Sequence, residues 1–376
     1  MRIAFGSALV LLGSAWLLAG QGWRPAALWL LGAALGLSLF HASFSYAGAF
    51  RRLLAERQGS GLRAQLVMLA LALLLFQPAL LTGEVLGQPV RGFVFPIGWA
   101  LLLGAFLFGI GMQLGGGCGS GTLFTAAGGQ DGRMWITLFA FIAGATLAAW
   151  DGERWMAWPA LPGQRLGEGW ATLPISLTGL ALVWAAMRWW EGPQADPLAW
   201  RGGDVLRGPW PLLWGAVALA VLNFTTLLLA GRPWAITAAF PLWGSQLVES
   251  LGWDDPAFWA YWEDPTRSEA LLRPLLSDRT TLMDLGLMAG ALLAAGLAGR
   301  RGWWRLPALR PALASLCGGL LLGYGAVLGS GCNISAFFGG IASGSLHGWV
   351  WIIPALLGNA VGLRLRPAFG LSRGGL

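Results

Sequence analysis

The sequence predicts an all-α membrane protein of about ten transmembrane helices, arranged as an inverted (antiparallel) repeat with Gly-Cys re-entrant hairpins. Three observations carry this. Of 376 residues, 56% are hydrophobic and only 11% charged, too few charges to cover a soluble protein of this length. Apolar stretches of about 17–22 residues, the length that crosses a bilayer's hydrocarbon core, recur along the chain. Two Gly-rich segments, each with a central cysteine, repeat at a constant offset. Spans of alternating apolar and polar residues, the mark of an outer-membrane barrel, are missing from the sequence.

Ten spans are expected at 3–19, 26–49, 64–82, 93–114, 134–150, 169–190, 209–230, 280–298, 312–328 and 348–363. The first has Arg2 before it and Gly20-Gln21-Gly22-Trp23 after it, with no small-x-small cleavage site, and is expected to be a retained helix. The formal charge of +7 comes from arginine alone, since the chain has no lysine. Lysine Schiff-base chemistry is therefore excluded. The arginines cluster between spans: Arg51, Arg52, Arg57 and Arg63; Arg188, Arg201 and Arg207; Arg300, Arg301, Arg305 and Arg310; Arg364, Arg366 and Arg373. That is the positive-inside pattern of an inner-membrane protein, not a basic groove for nucleic acid. Ten crossings with both termini in the cytoplasm put all four clusters inside and the acidic connections, Asp151 to Glu168 and Glu249 to Asp278, outside. Many of the 24 Trp residues fall near span ends, as interfacial anchors do.

The repeated segments are Leu114-Gly115-Gly116-Gly117-Cys118-Gly119-Ser120-Gly121-Thr122 and Leu328-Gly329-Ser330-Gly331-Cys332-Asn333-Ile334-Ser335, with Gly109, Gly111 and Phe124 matched by Gly323, Gly325 and Phe338. A weaker echo pairs Ala47-Gly48-Ala49-Phe50 with Thr237-Ala238-Ala239-Phe240. The chain thus divides into an extra N-terminal helix (1–25), a first repeat (26–165), a linker helix with a basic cytoplasmic loop (166–208) and a second repeat (209–376) carrying an acidic insert near 253–278. The single linker crossing makes the two copies antiparallel, an architecture shared by many transporters. Irregular backbone at membrane depth costs several kcal/mol per unpaired amide unless protein, water or ligand satisfies it. Helices starting near Thr122 and Ser335 would aim free N–H groups and a positive dipole end at each turn, making an anion site. Close helix packing accounts for Gly104, Gly109 and Gly319, but not for a cysteine at the same place in both copies. A neutral thiol is a weak donor and polarizable acceptor that holds a soft sulfur atom loosely. A sulfur-rich anion such as thiosulfate suits amides and thiols together. Two cysteines without a nearby His or carboxylate supply too few ligands for a structural zinc, and neither a metal nor any other cofactor is expected. The candidate path residues are Cys118, Cys332, Gly117, Gly119, Gly121, Gly331, Asn333 and Arg232.

These hairpins, with Gly231-Arg232-Pro233-Trp234 running into Ala239-Phe240-Pro241-Leu242-Trp243-Gly244, resemble the YeeE/YedE family, whose members include thiosulfate transporters. The resemblance covers roughly residues 30–365. It implies an hourglass-shaped inverted repeat with re-entrant helices, thiosulfate uptake rather than enzymatic turnover, and delivery to a small cytoplasmic sulfur carrier resembling TusA. It gives Cys118 and Cys332 the places of the family's central substrate-contacting cysteines. The family's thiosulfate transporters carry a further early cysteine, and residues 20–60 here have none; His41, Ser43 and Ser45 are the candidates to line that part of the path. A selenium compound or another sulfur oxyanion is the alternative substrate, and a membrane thiol oxidoreductase the alternative activity. Of the remaining residues, Cys317 is expected to pack, Asp284 to complement a helix N-terminus, and His347 to sit at the interface. Asn333 is expected to donate to an oxyanion or cap the next helix. No carboxylate is expected deep within a span.

Overall fold

The computed structural model describes residues 2–129, 131–192, 196–300 and 307–373. Arg301 and Arg305 lie outside the described residues. The chain forms α1 (Arg2–Gly20), α2 (Trp23–Ala42), α3 (Tyr46–Glu56), α4 (Ser60–Thr82), α5 (Trp99–Gly115), α6 (Gly119–Gly128), α7 (Arg133–Trp150), the short α8 (Gly152–Met156) and α9 (Thr172–Glu191). There follow α10 (Leu212–Ala230), α11 (Ala239–Ser250), α12 (Pro265–Leu271), α13 (Arg279–Leu297), α14 (Leu309–Leu328), α15 (Gly339–Ala342) and α16 (Leu346–Leu365). A π-helical turn, Asn333–Phe338, leads into α15. Sheet is confined to two antiparallel pairs of two-residue strands, Glu84–Val85 with Gln88–Pro89 and Ile97–Gly98 with Ala160–Leu161. Among the described residues, 10 helical segments are long and apolar enough to cross a membrane. They match the ten expected spans one for one, and the protein is a multi-pass helical membrane protein.

The second span breaks after Ala42 rather than running to residue 49, and the fourth begins at Trp99 rather than residue 93. The preceding Phe93–Pro96 stretch is extended because its amides are used elsewhere: the Phe93 N–H donates to Ser343 Oγ (2.9 Å) and the Phe95 N–H to His347 Nδ1 (3.4 Å). This crossing loop covers His347, which is fully buried and bonded to Ser345 at 2.7 Å, not interfacial as expected. Cys317 also departs from expectation. It lies exposed on the outward side of α14, whose inward side is occupied by Gly318 and Gly319.

Glycine sets how closely the helices pack. A Cβ on Gly111 would stand 2.7 Å from the Leu322 amide nitrogen, and one on Gly325 2.6 Å from the Gly104 carbonyl oxygen, so α5 and α14 touch backbone to backbone. The packing is reciprocal across the chain. α2 packs on α13 as α10 packs on α4; α7 packs on α14 as α16 packs on α5; α6 lies on α13 as α15 lies on α4.

Arginines that follow different spans gather at one end of the bundle. A Cβ on Gly61 would lie 3.2 Å from an Arg52 guanidinium nitrogen. Nearby, Arg63 is buried and paired with Glu191 at 3.0 Å, joining the start of α4 to the end of α9. Taking one partner from a buried ion pair costs about 3–5 kcal/mol, and Asp196, 3.4 Å from Arg63 and less buried, compensates only part of the charge that remains. Glu191→Leu should therefore lower the melting temperature of the purified protein sharply. Arg63→Met in the same chain should restore most of the loss; no recovery in the double variant would mean that the pair is not what holds these helices.

Candidate functional site

Both cysteine turns are built alike. α5 ends at Gly115, Gly116 turns at φ 86°, and Cys118 is the cap from which α6 starts. α14 ends at Leu328, Ser330 and Gly331 turn at φ 59° and 131°, and Cys332 is the cap of the π-helical turn. A left-handed conformation favours glycine at Gly116 and Gly331, and it reverses the chain within a few residues. The helices start at Gly119 and Asn333, not near Thr122 and Ser335 as expected, so their first N–H groups follow the cysteines directly. Asn333 is not the cap; Cys332 and Ser335 share that role.

The two sulfurs flank the first turn of α6. A Cβ on Gly121 would lie 3.4 Å from Cys118 Sγ, and one on Gly119 would lie 3.3 Å from Cys332 Sγ and 3.1 Å from Thr237 Cγ2. Gly117 is needed for a similar reason, since its Cβ would press on the Thr122 nitrogen at 3.0 Å. Both cysteines are free thiols with no solvent exposure. Cys332 Sγ accepts from the Ile334 N–H (3.4 Å) and the Ser335 hydroxyl (3.7 Å), and Ser335 lies 3.4 Å from the Thr237 hydroxyl. Cys118 Sγ stands 3.5 Å from Ser120 Oγ, with the backbone N–H groups of Gly121 and Tyr46 facing it. Tyr46 is the first residue of α3, after the Ser45 cap. Three helical starts, at Tyr46, Gly119 and Asn333, therefore bring backbone N–H groups to the sulfurs, and the turn Ile236–Ala238 borders them with the Ile236 and Thr237 side chains.

Two polar side chains in this shell lack partners among the described residues. Asn333 is fully buried and both of its amide atoms are unpaired; the Tyr46 hydroxyl is buried and unpaired. The Tyr46 ring stands 6.2 Å from that of Phe337, on the π-helical turn, and its electrostatic neighbours are Cys118 and Cys332. Buried polar atoms are seldom left unpaired, and each orphan costs about 1–3 kcal/mol.

The structure brings together Cys118, Cys332, Gly117, Gly119, Gly121, Gly331 and Asn333. Arg232 belongs elsewhere: it donates to Thr280 Oγ1 at 3.2 Å, beside Asp278 and Arg279 at the start of α13. Of the early polar residues, His41 packs against Trp210 with ring centroids 5.6 Å apart, and Ser43 is an exposed left-handed residue ending α2. Tyr46 was not anticipated. The repeat held the signal, since extending the Ala47/Thr237 echo by one residue aligns Tyr46 with Ile236, and Ile236 also borders Gly119.

Asp284 corrects one expectation. Asp278 is the carboxylate that caps α13, accepting from the Thr281 N–H at 2.7 Å. Asp284 lies further along the helix, wholly buried, with Oδ1 accepting from Trp234 Nε1 at 3.2 Å and Oδ2 unpaired. It sits in the second turn of α13, packed into the protein interior.

A multi-pass helical bundle whose broken helices aim their donor ends at two buried thiols defines a class of membrane protein suited to holding a soft anion. The chain belongs to the Sulphur transport family, whose model matches residues 41–361; the resemblance read from the hairpins holds. It is 32% identical over 163 residues to "Probable transporter YedE" of Escherichia coli, a match covering 43% of this chain and 39% of YedE's length. It is 26% identical over 351 residues to "Thiosulfate transporter TsuA" of Spirochaeta thermophila, covering 88% of this chain and 95% of that protein. The Escherichia coli protein named "Thiosulfate transporter TsuA" is 24% identical over 367 residues, covering 88% of this chain and 91% of its own length.

Gly119 has the least room of the residues between the sulfurs. Gly119→Val should cost about 1–3 kcal/mol by overpacking, read as a lower melting temperature in detergent. An unchanged value would mean that the two turns are not packed this closely.

Proposed function

We propose that this protein carries a small sulfur-containing anion, thiosulfate before others, across the bacterial inner membrane between the Cys118 and Cys332 turns. The observation that carries the reading is the placement of both thiols at helix starts, buried together around one helical turn. Relatives named as thiosulfate transporters over most of their length support it. In this reading the repeats are residues 26–165 and 209–376, related antiparallel, with 1–25 an added helix and 166–208 a linker. The reciprocal packing of α2 and α10 with α13 and α4 is what that relation requires. Both termini then face the cytoplasm, where a TusA-like carrier would take the sulfur. Cys118 is reached from the cytoplasmic side and Cys332 from the outside.

The chemistry is non-covalent. A dianion leaving water needs its charge compensated, and the helix N–H groups around the sulfurs supply this without a fixed cation. The terminal sulfur of thiosulfate meets the thiols, whose weak hydrogen bonds let it go again. The unpaired Tyr46 hydroxyl and Asn333 amide donate to its oxygens. Arg232, outside this shell, would attract the anion from the outer face.

The test is uptake of radiolabelled thiosulfate into proteoliposomes containing only this protein. Cys118→Ala and Cys332→Ala should each abolish it with the protein correctly inserted; uptake at the original rate in both would end the proposal. Tyr46→Phe keeps the ring and removes one donor. A hydrogen bond to a charged group contributes about 1.5–3 kcal/mol, so its KM should rise about tenfold or more, whereas an unaltered KM would remove Tyr46 from the path.

A further inference from the structure

We infer that Arg51, Arg133 and Arg366 form a second anion-binding station, which holds a doubly charged sulfur oxyanion where the Cys118 turn opens to the surface. The inference rests on the reading that the cysteine turns carry the anion.

Arg366 and Arg133 converge on the last turn of α5, and Arg51 lies on the neighbouring α3. Arg366 Nη1 donates to the Gln113 carbonyl at 2.6 Å, and Arg133 Nη2 donates to the next carbonyl, Leu114, at 3.0 Å. The Thr137 hydroxyl takes the Gly115 carbonyl at 2.9 Å. Gln113 Nε2 also reaches the Ala47 carbonyl (3.1 Å), tying this helix end to α3, one turn before Arg51. Arg51 and Arg133 both lie near enough for their charges to act on Arg366. Three segments far apart in sequence thus bring guanidinium groups to one place.

Capping a helix C-terminus does not require this. The end of a helix carries about half a negative charge, which one guanidinium satisfies. Here there are three, and none forms an ion pair among the described residues. Glu56 acts on Arg51 and Asp131 on Arg133, but neither acts on Arg366 as those two arginines do. Arg366 is 5% exposed, and Arg51 Nε is buried without a partner. Arg366 is buried and Arg51 and Arg133 are half-buried, so their like charges repel more than they would in water, and an oxyanion between them relieves the repulsion. Guanidinium groups bind such oxyanions in bidentate fashion.

The location fits a step before or after the thiols. Gly116 is exposed, while Gly115, Gly117 and Cys118 on either side are buried. Arg133 Nη2 lies 3.8 Å from where a Cβ on Gly116 would stand. The exposed point of the turn nearest Cys118 is therefore bordered by Arg133. By the positive-inside reading it faces the cytoplasm.

Equilibrium dialysis of the purified protein in zwitterionic detergent, with radiolabelled thiosulfate as probe, tests this. The Cys118→Ala/Cys332→Ala chain should keep one weak site that fades with added salt, and adding Arg133→Gln should weaken it at least tenfold. Because Arg133 also bonds Leu114 and Ser315, Arg51→Gln is the companion variant: it removes charge but no recorded side-chain bond, and should weaken the same site several-fold. Absence of the residual site, or its indifference to both substitutions, overturns the inference. So does its displacement by phosphatidylglycerol where phosphatidylcholine has no effect, which would assign the cluster to lipid headgroups. Failure of thiosulfate to protect Cys118 from maleimide in the unaltered chain would count against the cysteine path alone, since the arginine station is read without those thiols.

Discussion

Backbone that leaves the helix inside a membrane must find partners for its amides, and the structure depends on how that demand is met. The two turns at Cys118 and Cys332 interrupt apolar elements, and every interruption exposes donors at the next helix start. Both cysteines are without solvent exposure, so water does not satisfy them there. The chain responds by gathering the starts of α3, α6, the turn before α11 and the π-helical turn around one small volume. Positive helix ends brought this close would repel. Something electron-rich has to stand between them, and two sulfurs and two orphaned polar side chains are what the sequence puts there.

Glycine makes that gathering feasible. Because α5 and α14 meet backbone to backbone at Gly104, Gly111, Gly318 and Gly325, the turns that follow them are drawn to one level. Larger residues would widen the interhelical spacing and pull the sulfurs apart. The buried Arg63–Glu191 pair has a similar role further out, securing α9 to α4 at the arginine-rich end. The packed glycines and the charged clamp therefore serve the same geometry by different means, one by dispersion at close range and the other by charge.

Much of this was legible in the sequence, and the reasons are physical. Length and hydropathy gave ten spans because crossing a bilayer imposes a nearly fixed helix length. The cysteine turns stood out because seven residues such as Gly115 to Gly121 make a poor helix. What stayed hidden depends on tertiary contact. His347 looked interfacial because only the fold reveals that the Phe93–Pro96 stretch crosses over it. Asp284 looked like a cap because Thr280 and Thr281 precede it, yet Asp278 already fills that place. Tyr46 carried no motif of its own; its meaning comes from the helix break at Ser43–Ser45, which hydropathy smooths over. The arginines read as markers of sidedness, and nothing in their spacing announced that Arg51, Arg133 and Arg366 would meet.

The π-helical turn after Cys332 has a consequence for the proposed passage. Its winding lets both the Ile334 amide and the Ser335 hydroxyl reach the Cys332 sulfur, whereas the Cys118 sulfur, at a regular α-helical start, has the Ser120 hydroxyl and the Gly121 amide beside it. The two thiols are thus unequal resting places: Cys332 takes both donors from its own hairpin, whereas Cys118 also faces the Tyr46 amide on α3. Unequal rungs cannot give a passive ladder a preferred direction, because detailed balance forbids it. They decide only where a traveller dwells, and leave the sense of travel to the gradients on either side.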